Sequence, residues 1–126
     1  MNRSALCLAA IGAISISSAW AESEPKTIEA CARTASQLAY KQCIGEILEM
    51  MEWKLVSKLA DARKDFHGDE ANTAFDEAQN AWASYQTREC WAAFERVAPG
   101  SDASAAETRC RIKLINDRIE NLENGY

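Results

Sequence analysis

With one histidine, two prolines and five glycines in 126 residues, this sequence is short of the residue types on which many functions depend. His67 stands alone, and neither H-E-x-x-H, G-x-S-x-G nor a P-loop occurs, so the common hydrolytic, zinc and phosphate sites have no residues to build on. C-x-x-C-H is missing too, and Met50, Met51 and His67 by themselves do not make a haem bundle. Cations are outnumbered 14 to 19, for a net charge of −5, which argues against nucleic acid as a partner. No run of about 20 apolar residues is present to span a membrane. The expectation is a non-enzymatic protein without a cofactor or metal.

Met1 to Arg3 forms a short basic start, Leu6 to Ile16 an apolar stretch too short for a bilayer, and Ala19-Trp20-Ala21 a small-x-small site. These predict a signal peptide over 1–21, cleaved after Ala21, and a periplasmic or secreted mature chain. Cys7 opens the apolar stretch rather than following it, so it reads as part of the leader and not as a lipid anchor. Loss of Arg3 takes the formal charge to −6. A surface of that sign attracts basic proteins at low salt.

Cys31, Cys43, Cys90 and Cys110 remain, an even set for an oxidising compartment, and two disulfides are expected. Gaps of 12, 47 and 20 residues contain no zinc knuckle.

Hydrophobic residues recur at helical spacing almost throughout. Residues 22–35, with Pro25, read as an irregular lead-in. From about Ser36 a stripe runs Ile44, Leu48, Met51, Leu55, Leu59, Ala62, Phe66, until Gly68 stops it and Asp69 can cap the next helix. That helix turns Phe75, Ala78, Trp82, Tyr85 or Gln86, Cys90 and Ala93 inward and ends near Val97. After Pro99-Gly100-Ser101, Asp102 or Ser104 can cap a third helix with Ile112, Ile115, Ile119 and Leu122 on one stripe and Cys110 and Leu114 beside it. A double stripe implies two neighbours. The predicted fold is all-α: an up-down-up bundle of three long helices over 36–126.

Cys90 and Cys110 lie about equally far from the Pro-Gly turn, which sets them level on antiparallel helices. Cys31 and Cys43 cannot bridge inside one helix, where twelve residues span about 18 Å, but a lead-in folded back over the first turns would let them meet. Cross-pairing stays open, because all four cysteines fall at one end of the bundle.

Trp53 and Trp91 project opposite the main stripes of their helices. A helix in a three-helix bundle usually has two contact faces, so burial is expected; exposed, either would be an anchor for a partner. Glu46, Glu49 and Glu52 read as a solvated face rather than a metal or catalytic set, and His67 as a surface residue beside a helix end.

The run Ala78-Gln79, Trp82, Tyr85, Cys90, then Gly100-Ser101, Cys110, Arg118 and Leu122, resembles the LprI-like lysozyme-inhibitor family of secreted bacterial proteins. That family's pattern is A-Q-x-x-W-x-x-Y-R-D-x-x-C, a G-S turn, then C-x-x-x-L-T-x-x-R-x-x-x-L, after two upstream cysteines. The likeness spans residues 31 to 122. It implies that Gln79, Trp82, Tyr85, Gly100 and Arg118 belong to the scaffold and that a lysozyme is the partner. An acidic, disulfide-clamped protein can meet a basic lysozyme by charge complementarity, and the turn "VAPGSDAS", with Ser101 and Asp102 at its tip, is the candidate contact; the alternative is that this turn only connects two helices. Departures are Gln86-Thr87 for Arg-Asp, Ile115 for threonine and Val56 for asparagine. An envelope domain that keeps this scaffold for a structural or ligand-binding task is the alternative.

Overall fold

The computed structural model describes residues 26–125. The expected leader lies outside the described residues. Thr27 begins a four-residue helix, α1 (Ile28–Cys31), its hydroxyl accepting from the Ala30 amide at 3.0 Å. Apart from α1 the described part of the lead-in is irregular up to Ser36, whose hydroxyl accepts from the Ala39 amide at 3.1 Å and so opens α2 (Gln37–Ala62).

α2 stops short of Phe66. After Ala62 the chain tightens into a 3-10 turn, Arg63–Asp65, and leaves Phe66 extended at φ −95°, so that its ring meets Phe75 at 4.8 Å between centroids. Gly68 follows at φ 92°, a conformation that a Cβ disfavours, and it rather than Asp69 occupies the N-cap of α3 (Asp69–Val97). Asp69 and Glu70 instead lie in the first turn, where their charge complements the helix dipole. Asp102 stands at the N-cap of α4 (Ala103–Asn124) without a side-chain bond to the helix backbone.

The three long helices form a layer with α4 in the middle. α4 packs extensively on both α2 and α3, while α2 and α3 barely touch each other. This is what the two stripes of α4 require. Near the cysteines, Cys31, Ile44, Ile47, Ala105 and Ile112 pack together with Tyr40 and Leu48 at their edge. Farther along, Leu55, Ile115 and Ile119 are joined by Leu59, Trp82 and Leu122. At the Phe66 end, Phe75 is buried beneath the reversal of the chain.

One buried cation crosses the core. Arg118 on α4 is 8% exposed, and its Nε donates to Gln79 Oε1 on α3 at 3.1 Å. A buried guanidinium needs such acceptors.

Candidate partner-binding surface

Both disulfides lie at one end of the layer. Cys31 is bonded to Cys43 with Cα atoms 5.6 Å apart, and Cys90 to Cys110 at 5.4 Å. The first holds the lead-in against α2, and the second clamps α3 to α4 just below their connection.

That connection is tightly specified. Gly100 N donates to Val97 O at 2.9 Å, and Ala103 N to Gly100 O at 3.1 Å. A Cβ on Gly100 would stand 2.7 Å from Val97 O, closer than real Cβ contacts come, so the turn requires glycine. Lys41 Nζ on α2 donates to the Ser101 carbonyl at 2.5 Å, and Gln37 Nε2 to the Ser101 hydroxyl at 3.3 Å. Asp102 pairs with Arg109 at 3.0 Å, and Arg109 also donates to the Tyr40 hydroxyl at 3.0 Å. Tyr40 and then Asp102 push the Arg109 pKa further above its ordinary value, fixing its positive charge. Ser101 and Asp102 are thus partners in a network that ties the turn to α2, with Ser101 exposed and Asp102 half-buried. A shallow groove beside them is lined by Ala32, Thr34, Ser36, Gln37, Tyr40 and Asp102.

The structure corrects the expected burial of the tryptophans. Trp53 is 71% exposed and Trp91 55%. The reason is the layer: α2 and α3 each use one face against α4 and present the other to solvent. Of the alternatives Tyr85 or Gln86 on the inward stripe of α3, the structure turns Gln86 inward and leaves Tyr85 52% exposed, so Tyr85 is not a core anchor. Trp82 is half-buried against Leu55, Ile115 and Ile119. Trp91 stacks on Phe94 with centroids 4.9 Å apart and an interplanar angle of 10°. With half-exposed Val97 and exposed Pro99, this stack continues an apolar ridge along α3 to the turn.

The two departures at 86 and 87 have distinct fates. Thr87 turns its hydroxyl to the Ala83 carbonyl of its own helix at 3.0 Å. Gln86, one turn from both Trp82 and Cys90, buries an amide nitrogen that finds no hydrogen-bond partner among the described residues. An unmet buried amide is destabilising. Gln86→Met keeps the volume and removes the amide, so it should stabilise the fold by about 1 kcal/mol and raise Tm by roughly 4–8 °C in a domain of this size. A thermal melt that fell on substitution would refute this.

Among the described residues no cluster of histidine, cysteine, aspartate and glutamate is suited to a metal ion, and no helix is long and apolar enough to cross a membrane.

The family model described as "Lysozyme inhibitor LprI" matches residues 29–122, well over half of the chain. The chain belongs to the LprI family. The match takes in both disulfides, α2 and α3 whole, and all but the ends of α1 and α4 of this LprI-family protein. No curated protein and no solved structure matches the chain.

Proposed function

We propose that this LprI-family protein is a non-enzymatic inhibitor that binds a basic lysozyme outside the cytoplasmic membrane, in the periplasm or after secretion, and occludes its cleft with the disulfide-clamped end of the layer. The observation that carries the reading is the family match across nearly the whole described chain. The geometry supports it. A turn fixed by a disulfide and by bonds to Gln37 and Lys41 is ordered before it meets a partner, so little conformational entropy is lost on binding. The apolar ridge of Trp91, Phe94 and Val97 adjoins that turn and offers the aromatic surface that anchors interfaces. A net charge of −5 speeds encounter with a basic enzyme. Two disulfides suit an oxidising compartment.

The test is to titrate the oxidised protein against a panel of basic animal lysozymes and follow wall lysis at low and physiological salt. Inhibition at micromolar concentration or below, weakening with salt, is expected; no inhibition of any lysozyme would end the reading. Changing Ser101 and Asp102 together to alanine should weaken inhibition about tenfold or more. Tm should fall only a few degrees, because the half-exposed pair with Arg109 contributes under about 1 kcal/mol. Undiminished inhibition by that variant would place the contact elsewhere.

A further inference from the structure

The outer face of α2 carries Met50, Trp53 and Val56 at i, i+3 and i+6, exposed by 50%, 71% and 59%. Isolated apolar side chains on a surface are ordinary, but three large ones over two turns, with a tryptophan at the centre, form a patch. Trp53 points away from the core and lies sixteen residues, or about 24 Å, along α2 from Gln37, so the patch is separate from the turn that Gln37 holds.

Charge is segregated around it. Two lysines of α2 are bound to other elements: Lys41 to the Ser101 carbonyl and Lys58 to Glu123 at 2.8 Å. Lys58 first, and Lys54 more weakly, hold the Glu123 carboxyl below its usual range. Glu52 turns to Arg111 on α4 at 2.5 Å. By helical position Glu46 and Glu49 share the outer face with Trp53, and of the two Glu46 is met by Lys26 from the lead-in. The face therefore combines an indole with carboxylates, the pairing that receives a cationic side chain: the ring face attracts the cation and the carboxylate binds it.

We propose that the Met50–Trp53–Val56 face of α2 is a second docking surface, one that takes a basic protein by seating an arginine or lysine of the partner on Trp53 beside Glu49, one turn away. A second copy of this chain fits less well. Like faces would oppose their carboxylates, and each indole would meet a partner without a cation to offer it. The proposal rests on lysozyme binding only for one of its two probes.

The experiment measures the affinity of the full oxidised protein for a basic lysozyme and, separately, for deca-arginine, with tryptophan fluorescence and calorimetry as readouts. Trp53→Ala should weaken both at least tenfold with Tm unchanged, Trp53→Phe should restore part of the loss, and Glu49→Gln should reduce the salt dependence. If the unaltered protein binds lysozyme and Trp53→Ala binds it equally, the docking surface is refuted while lysozyme binding stands. If no lysozyme binds, that reading fails, and deca-arginine decides this one: affinity that ignores Trp53 overturns it. Concentration-dependent dimerisation lost on Trp53→Ala would show self-association and likewise overturn it.

Discussion

Replacing Cys90 and Cys110 together by serine should lower stability by about 3 kcal/mol, the loop-closure contribution for a ring of this size. Cys90 is 1% exposed, so a serine there also buries a hydroxyl, and the loss adds to the entropic one. For about 100 residues this corresponds to a fall in Tm of more than roughly 10 °C. The functional effect should exceed the thermal one at temperatures where the variant stays folded, since the bond sits directly under the turn proposed to enter the lysozyme cleft. Inhibition should drop while the helical circular dichroism is retained. The Cys31–Cys43 bridge closes 12 residues and should contribute nearly as much to stability, because closure entropy depends only logarithmically on loop length. Melts of the two double-serine variants, with peptide mapping of the parent under non-reducing conditions, check both statements. A Cys90/Cys110 variant melting within a few degrees of the parent would contradict them.

The long helices and the level placement of Cys90 and Cys110 were legible in the sequence because local rules set them, while the pairing of the four cysteines stayed open. Ser36 is an N-cap by residue type, and Cys90 and Cys110 are level because each lies about the same number of residues from Gly100. The arrangement of the helices was legible only in part. Helical periodicity shows how many faces a helix buries but not which helix it meets, and the double stripe of α4 was the one signal that α4 is central. The single stripes of α2 and α3 carried the complementary message, that each has one neighbour. Assuming two neighbours for every helix put Trp53 and Trp91 in the core, and periodicity alone left Tyr85 and Gln86 undecided on α3. The network around Ser101 depends on Gln37 and Lys41, sixty and more residues away in sequence, and no local pattern reveals it. Gln79 and Arg118 stood out only through the family resemblance, and nothing local in the sequence shows that they bond to each other across α3 and α4.

If α4 is the central element, its middle residues should dominate stability. Ile115 is 1% exposed and packs between Leu55 on α2, Trp82 on α3 and Ile119 in the next turn. Ile115→Ala should cost about 2–5 kcal/mol, from lost apolar burial and the cavity that flanking helices cannot close. Trp82→Ala should fall at or below the low end of the usual range of about 3–5 kcal/mol, because the ring is only half-buried. Trp53→Ala and Trp91→Ala should each stay within about 0.5 kcal/mol, as for other surface positions. Urea denaturation gives the ordering directly. A Trp53→Ala loss as large as that of Ile115→Ala would mean that the outer face of α2 is covered in the folded monomer, which a layer does not allow. Ile115→Thr is the more discriminating variant, since threonine is the residue of the family pattern there. In this chain it would place a hydroxyl in an apolar site whose neighbours are Leu55, Ile119 and Trp82, and it should cost about 1–3 kcal/mol. Ile115→Thr should therefore weaken the fold without touching either proposed binding surface.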